Sequence, residues 1–174
     1  MSEARLRAWR PGDAAAITAA LEDVNVLKWS DIADLGSERW VARERQELRG
    51  PSRAICTAGD DRVVGRIALR LPGQASPAVT CDAMRRDDQP AGEMSYWVLP
   101  HARGRGVATA AVTAMLDIAR GIGGMRSVVL DIEPDNVASI RVAERAGARR
   151  REPPRVQHDR NGVARTLVVF VARL

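Results

Sequence analysis

The segment GEMSYWVLPHARGRGVAT, residues 92–109, constrains this chain more than any other part of it. A short apolar stretch reaches Pro100, an Arg–Gly loop follows, and an Ala-rich helix is predicted to start near Val107. Glycine lets a backbone approach a ligand closely, and the first N–H groups of a helix lack intrahelical partners and favour negative charge. The segment therefore predicts a binding site for an anion, most simply for phosphates.

The composition predicts a single globular domain spanning residues 1–174. Hydrophobic residues make up 45% of the 174 residues and charged residues 28%, which suffices for a full core. The apolar runs are too short to cross a membrane, and the N-terminus lacks a signal-peptide core. Cys56 and Cys81 fit no metal spacing and are expected to be free thiols. We therefore expect a cytoplasmic protein with no metal and no membrane partner.

Positive charge is concentrated in the second part of the chain. Up to position 100 there are 14 basic and 15 acidic residues, and beyond it 13 and 7. A basic chain can bind nucleic acid, but one Phe and one Tyr offer few surfaces for base stacking. We therefore expect a small polyanionic ligand rather than nucleic acid. A further set of arginines is expected to form a solvated face: Arg145, Arg149, Arg150, Arg151, Arg155 and Arg160.

Hydrophobic periodicity predicts alternating strands and helices. Strands are expected over 4–10, 53–58, 62–71, 92–99, 126–132, 148–152 and 166–174, and helices over 13–23, 38–49, 105–120 and 136–146. Asp13 is the expected N-cap of the first helix. Residues 24–36, 72–91 and 153–163 are expected to be loops. This order is typical of a mixed α/β domain.

The two loop glycines alone leave alternatives open. Gly104 and Gly106 could form a tight turn without a ligand, or begin a dinucleotide fingerprint of the type G-x-G-x-x-G/A. Thr109 stands where that fingerprint needs a small residue, and too little chain follows for a doubly wound domain. A P-loop is excluded, because G-x-x-x-x-G-K-[ST] does not occur.

The residues of this loop resemble a known family. Arg103-x-x-Gly106-x-Ala108 is similar to the R/Q-x-x-G-x-G/A motif of the GNAT superfamily of N-acetyltransferases. Asn136-x-x-Ser139 followed by Gly147 resembles the family's second CoA-side motif, and LRAWRPGDAAAI resembles the subgroup that acetylates ribosomal-protein N-termini. The resemblance implies a GNAT-like fold, in which a mixed, mostly antiparallel sheet is flanked by helices, and implies acetyl-CoA as the acetyl donor.

The same resemblance implies which residues hold the cofactor. The backbone N–H groups of residues 105–109 would bind the pyrophosphate, the strand before the loop would pair with the pantetheine arm, and the N–H of Val98 or Leu99 would face the thioester oxygen. The implied cofactor-binding residues are Trp97, Val98, Leu99, Arg103, Gly104, Arg105, Gly106, Val107, Ala108, Thr109, Asn136 and Ser139.

Candidate catalytic residues follow from strand alternation and from the motif positions. Glu93 lies on the strand that would hold the thioester and is the candidate general base. Many relatives have a Tyr at the position of Ala143, so Ser139 is the candidate acid toward the CoA sulfur. Trp29 and Asp31 lie in the loop where the family often builds its acceptor site.

The sequence leaves the acceptor open. The leading hypothesis is transfer of an acetyl group to a protein N-terminal amine. A small amine such as an antibiotic or a polyamine is an alternative acceptor. A non-catalytic module that binds acyl-CoA is a further alternative, because the Tyr is absent. The chain is also compatible with a homodimer.

Overall fold

The computed structural model describes residues 4–29, 35–57, 59–74, 90–158 and 163–174. Within these ranges seven strands and five α-helices are formed. In chain order they are β1 (Ala4–Arg7), α1 (Ala14–Leu21), α2 (Val24–Trp29), α3 (Ser37–Arg45), β2 (Ser52–Thr57), β3 (Val63–Arg70), β4 (Ala91–Val98), α4 (Val107–Gly121), β5 (Ser127–Ile132), α5 (Val137–Arg145), β6 (Arg149–His158) and β7 (Ala164–Arg173).

The strands form one sheet in the order β1-β2-β3-β4-β5-β7-β6. Strands β4 and β5 run parallel, whereas β1–β2, β2–β3, β5–β7 and β6–β7 pair antiparallel. A mixed, mostly antiparallel sheet with helices confirms the predicted fold class. Tertiary contacts divide the chain into two compact units, 1–68 with 95–115 and 69–94 with 116–174. The single domain spanning residues 1–174 therefore stays a prediction.

Two predicted loops contain regular structure instead. Residues 24–29 form α2, whose start is capped by Asp23, because its Oδ1 accepts the N–H of Asn25 at 2.8 Å. Strand β6 continues to residue 158 although Pro153 and Pro154 lie within it. The β6–β7 register shifts between Arg151 and Arg155, so the prolines lie in a bulge, where no ladder hydrogen bond is required of them. The predicted loop 72–91 lies mostly outside the described residues, as does Cys81.

The first unit has a tryptophan-rich core. Trp9, Trp40 and Trp97 are buried together with apolar residues of α1, β2 and β3. The rings of Trp9 and Trp40 meet edge to face at 5.3 Å. The thiol of Cys56 lies in the same core and is free.

Asp13 fixes the start of α1 in a way that the sequence did not predict. Its carboxylate makes no cap bond to α1 and instead takes two parallel bonds from Arg7, both 2.8 Å, and one from the N–H of Arg10 at 2.7 Å. Burial alone would raise the pKa of Asp13, but the hydrogen bonds from Arg7 and Arg10 outweigh it, so the pKa is lowered. The ion pair thus joins β1 to the first helix.

Gly65 sets the spacing between β3 and β4 in the first unit. A Cβ at this position would overlap the carbonyl oxygen of Trp97 and crowd the Cα of Val98 at 3.2 Å. The N–H of Leu99 donates to the carbonyl of Val64 at 2.8 Å. The end of β4 is therefore held close to β3 by the absence of a side chain at Gly65.

The second unit places apolar and charged residues on the same sheet face. Ala91, Val129 and Val169 form a buried cluster. Glu93 lies opposite Val129, and Asp131 lies opposite Val169. Because paired residues point to the same face, both carboxylates belong to the face of this cluster.

No described helix is long and apolar enough to cross a membrane. No group of three or more His, Cys, Asp or Glu in the described ranges could hold a metal ion.

Substitution of Gly65 by Ala should lower the free energy of unfolding by about 2–3 kcal/mol, because the new methyl group meets backbone atoms that cannot move independently. Urea unfolding measures the effect. Gly12→Ala is the control, since a Cβ at Gly12 meets nothing within 4 Å. Equal stability of the two variants would contradict the close approach of β3 and β4.

Candidate active site

The loop between β4 and α4 has the geometry of an anion cradle. Gly104 and Gly106 have φ values of +70° and +79°, which side chains rarely adopt. The carbonyl of Gly106 accepts the N–H of Ala110 at 3.0 Å, so the helix begins at Val107. The N–H groups of the first turn, from Val107 to Thr109, therefore have no carbonyl of the helix to bind.

The space in front of this turn is open. A Cβ on Gly104 or Gly106 would meet no atom within 4 Å, and the segment 103–106 is exposed. Backbone N–H groups, the positive end of the helix dipole and open space together fit a pyrophosphate. The residues present thus suit the group that the sequence motif implies.

The two arginines of the loop have different surroundings. The Nε of Arg103 donates to the carbonyl of Val98 at 2.8 Å, and its guanidinium forms an ion pair with the buried carboxylate of Asp23. Arg103 therefore joins the loop to the end of β4 and to the start of α2. Arg105 is exposed and makes no ion pair within the described part of the chain. Its side chain is the one available to a phosphate.

The end of β4 narrows the choice of an oxyanion donor. The sequence offered the N–H of Val98 or of Leu99, but the N–H of Leu99 donates to Val64. Successive residues of a strand direct their N–H groups to opposite edges, so Val98 presents its N–H to the other side. Val98 is the remaining candidate, and the side chain of Trp97 lies in the core rather than at an open surface.

Glu93 lies in the second unit, on the sheet face described above. Its Oε2 accepts a hydrogen bond from Nη1 of Arg70 at 3.1 Å, and its side chain is partly exposed. The preceding residue, Gly92, is confined, because a Cβ there would lie 2.9 Å from both Leu69 and Met125. The backbone at Glu93 is therefore fixed while its carboxylate remains accessible.

Asp131 is a second carboxylate on this face, and it was not among the predicted site residues. Its Oδ2 forms an ion pair with Arg155, while its Oδ1 is buried and has no hydrogen-bond partner among the described residues. Burial raises the pKa of Asp131 to about 6, the positive charge of Arg155 opposes this rise, and the negative charge of Glu93 adds to it. A pKa near neutrality suits a group that exchanges protons.

A signal for Asp131, but not for its pairing with Arg155, was present in the sequence. Asp131 is the single charged residue within the otherwise apolar strand SVVLDI. Arg155 was expected on a solvated face, but its side chain is 11% exposed because it is directed to Asp131. The position of Arg155 depends on the bulge in β6, which the sequence pattern did not reveal. Arg160 lies outside the described residues.

The second motif is folded as a helix start. The Oδ1 of Asn136 accepts the N–H of Ser139 at 3.2 Å, so Asn136 caps α5. Ser139 is partly buried one turn along, and Ala143, at the Tyr position of many relatives, is buried. The roles of Asn136 toward pantetheine and of Ser139 as an acid stay predictions.

The predicted acceptor residues are only partly covered by the structure. Trp29 ends α2, but its side chain lies outside the described part, and so does Asp31. Of the predicted site residues, the structure thus groups 97–99 and 103–109 in the first unit. It groups Glu93, Asn136 and Ser139 in the second.

These features describe a mixed α/β protein with an open glycine loop in front of a helix N-terminus. The family model of the acetyltransferase (GNAT) domain matches residues 4–149, so the chain belongs to the GNAT acetyltransferases. It is accordingly an N-acetyltransferase that uses acetyl-CoA. No curated protein is detectably similar in sequence.

Solved structures share the fold over nearly the whole chain. Mycobacterium smegmatis RimJ in complex with CoA-disulfide is 22% identical, with 98% of this chain and 81% of that chain covered and a TM-score of 0.70. A GNAT-family acetyltransferase from Bacillus anthracis is 16% identical, with 99% and 96% covered and a TM-score of 0.76. The aminoglycoside acetyltransferase AAC(6')-Ib in complex with coenzyme A is 15% identical, with 98% and 94% covered and a TM-score of 0.71. Identities this low establish the fold alone.

Substitution of Gly106 by Val should weaken acetyl-CoA binding about 100-fold or more, because the side chain occupies the open cradle and disfavours the positive φ that opens it. Isothermal titration calorimetry measures the affinity. Gly124→Val is the matched control, since Gly124 also has a positive φ and open surroundings but lies in the turn after α4. Equal affinities of the two variants would refute the cradle.

The raised pKa of Asp131 predicts a pH-dependent stability. The folded state binds this proton more tightly than the unfolded state, whose pKa is near 3.8. The stabilisation is therefore complete below about pH 4 and is lost as the pH rises through about 6. Relative to Asp131→Asn, the wild-type chain should lose about 3 kcal/mol over this window.

Chemical denaturation at a series of pH values measures this difference. Asp117→Asn is the control, because Asp117 is exposed and pairs with Arg120 on the surface of α4. If wild type and Asp131→Asn show parallel stability curves between pH 4 and 7, the pKa of Asp131 is not raised.

Proposed function

We propose that this chain transfers the acetyl group of acetyl-CoA to the α-amino group of a protein N-terminus. The observation that carries the cofactor part of the proposal is the open cradle at Gly104 and Gly106 before α4. Residues 105–109 bind the pyrophosphate through their backbone N–H groups, and Arg105 adds a charged side chain. Acetyl-CoA, when bound, supplies a thioester whose carbonyl carbon the amine attacks.

The chain's residues divide the remaining tasks. The backbone of Trp97 and Val98 aligns the pantetheine arm as an added strand, and the N–H of Val98 donates to the thioester oxygen as negative charge develops on it. Glu93 takes the proton of the acceptor ammonium. Asn136 orders the start of α5, and the hydroxyl of Ser139 donates a proton to the departing sulfur.

The chemistry of the acceptor favours an α-amine over a lysine side chain. An α-amino group with a pKa of about 7.7–8.0 costs only about 1–1.4 kcal/mol to deprotonate at pH 7, whereas lysine at about 10.4 costs roughly 4.6 kcal/mol. Carboxylates such as Glu93 and Asp131 are weak bases and suit the easier of these proton transfers.

A small amine is the second candidate acceptor. The specific observation in its favour is the similarity in fold to the aminoglycoside acetyltransferase AAC(6')-Ib. Trp29 and Asp31 are the predicted contacts of either acceptor. The two candidates differ in what must surround the amine, a peptide backbone or a sugar ring.

Acceptor screening distinguishes the candidates. The protein is incubated with acetyl-CoA and either peptides bearing ribosomal-protein N-termini or a set of aminoglycosides and polyamines, and acetylation is detected by mass. Modification of the peptide α-amine supports the proposal. Exclusive modification of small amines overturns the assignment to protein N-termini.

Glu93→Gln should lower kcat with the modified acceptor about 100-fold or more, because the glutamine amide cannot accept the ammonium proton. The KM for acetyl-CoA should change little. Glu144→Gln, on the exposed surface of α5, is the matched control. Wild-type turnover by Glu93→Gln would remove Glu93 from the mechanism.

A further inference from the structure

Glu44 and Arg66 form an ion pair at the core of the first unit, and no step of the proposed function uses it. The side chain of Glu44 is 8% exposed and that of Arg66 is 19% exposed. Removing two charges from water is costly, and an apolar pair of similar volume often stabilises a fold as well. The other contacts of Arg66 indicate a use for the pair beyond stability.

The guanidinium of Arg66 is fixed on three sides. Its Nε donates to Oε2 of Glu44 at 2.8 Å, and its Nη2 lies at the same distance from that oxygen. The guanidinium carbon lies 5.4 Å from the ring centroid of Trp40, within the range of a cation–π contact. The remaining nitrogen, Nη1, donates to Oγ of Ser95 at 3.2 Å. The side chain of Arg66 is therefore held with Nη1 directed at Ser95.

Buried polar groups hold Glu44 in the orientation that this arrangement needs. The Nε1 of Trp9 donates to Oγ of Ser52 at 3.1 Å, and the hydroxyl of Ser52 donates to Oε2 of Glu44 at 2.5 Å. Ser52 is 5% exposed. A chain of hydrogen bonds thus runs from a buried indole through Ser52, Glu44 and Arg66 to Ser95.

The chain of hydrogen bonds ends at an exposed hydroxyl on β4. Ser95 is exposed, whereas Trp97, the next residue on the same face of the strand, is buried in the tryptophan-rich core. The face that is covered at Trp97 is therefore open at Ser95. All the residues of the chain belong to the first unit.

The hydrogen bond from Arg66 determines what Ser95 can recognise. A serine hydroxyl has one proton to donate and accepts through its lone pairs. Because Oγ accepts from the guanidinium, the O–H bond points away from Arg66, and the neighbouring charge strengthens the bond that it donates. The charge of Arg66 is balanced by Glu44, so the pair favours neither an anion nor an ammonium group. The matching ligand group is a neutral oxygen acceptor such as an amide carbonyl.

The position of Ser95 on β4 suits a contact with the acceptor. Ser95 precedes Val98 by three residues, which is roughly 10 Å along a strand. In the proposed function the N–H of Val98 donates to the thioester oxygen, and the acceptor amine attacks beside it. An extended peptide advances at most about 3.6 Å per residue from that amine, so its first two carbonyl groups come within reach of Ser95. Strand alternation also assigns Ser95 to the face of Glu93, the proposed base.

We propose that Ser95, held by Arg66 and Glu44, forms a subsite that donates a hydrogen bond to one of the first two backbone carbonyl oxygens of the acceptor peptide. The inference rests on the proposed function, because it requires the acceptor to be a protein N-terminus. Ser95 touches the acceptor, whereas Arg66 and Glu44 are positioning residues. A polyamine has no carbonyl oxygen, so the subsite favours peptides over polyamines.

The experiment measures peptide binding to the protein saturated with CoA, by isothermal titration calorimetry. The probes are tetrapeptide amides with a free N-terminal alanine or serine, and analogues in which sulfur replaces the first or the second carbonyl oxygen. Sulfur is a weak hydrogen-bond acceptor, so one analogue should bind the wild-type protein about fivefold more weakly than its parent. Ser95→Ala should bind that analogue and the parent peptide equally, whereas an effect of the size of sulfur would persist in this variant.

Three further variants separate the hydroxyl from its support. Ser95→Thr keeps the hydroxyl and should keep the discrimination between carbonyl and thiocarbonyl. Thr113→Ala, which removes an exposed hydroxyl from α4, is the matched control and should also keep it. Arg66→Lys should reduce the discrimination, because an ammonium cannot reproduce the planar fork of the guanidinium. Full discrimination in Arg66→Lys would overturn the role given to Arg66.

The binding measurement separates failure of the subsite from failure of the proposed function. Peptide acetylation by a wild-type protein that binds both analogues like the parent would overturn the subsite and leave the proposed function intact. Equal discrimination in the wild type and in Ser95→Ala would also overturn the subsite, as would a wild-type protein that binds no peptide. Peptides that bind with the expected discrimination but are never acetylated would overturn the proposed function and support the subsite.

Discussion

The contacts of the Arg103 side chain are the constraint on which the loop between β4 and α4 depends. One guanidinium binds the carbonyl at the end of β4 and the buried carboxylate of Asp23, which in turn caps α2. A strand end, a loop and a helix start are therefore fixed by a single residue. Because the loop is held at its first position, its glycines can keep their open conformation without support from a ligand.

This arrangement changes the role of charge in the loop. An arginine next to a phosphate site is usually taken as a direct contact, but Arg103 satisfies a buried carboxylate, whose charge would otherwise be unpaired at considerable cost. The groups left free to contact an anion are the backbone N–H groups of the first turn of α4 and the exposed side chain of Arg105. Backbone N–H groups in fixed positions suit a pyrophosphate, because the cofactor has to stay aligned with the edge of β4.

Charges in the second unit are also arranged as pairs. Arg70 with Glu93 and Asp131 with Arg155 place two acids and two bases on one face. The excess of arginine in the later part of the chain is therefore not a uniform basic surface. Part of it neutralises carboxylates that the sheet brings together, and this explains why a charge count alone could not locate the site.

Local patterns predicted the parts of the structure that local physics determines. The glycine loop and the helix after it depend on neighbouring residues, and both could be predicted from the spacing of those residues. The family model then confirmed acetyl-CoA as the donor. Helix α2 was not predicted, because six residues carry little hydrophobic periodicity. Its capping residue, Asp23, was instead assigned to the end of the predicted helix 13–23.

The residue pairs that depend on sheet register could not be predicted from the sequence. Asp131 and Arg155 are 24 residues apart, and they meet only because β6 contains a bulge and β7 lies between the two strands. Likewise, the donation from Leu99 to Val64 depends on how β3 and β4 align. A sequence pattern assigns a residue to a face, but partners across strands require the register.

The bulge in β6 has a consequence for assembly. In the described sheet β6 is an outer strand, paired with β7 alone, and edges of this kind can recruit a strand from another molecule. Pro153 and Pro154 lack N–H groups, and the bulge distorts the strand around them. Main-chain pairing between copies is interrupted at this point, so self-association through this edge would have to use its exposed side chains. The same irregularity that brings Arg155 to Asp131 thus protects the edge from growth into a continuous intermolecular sheet.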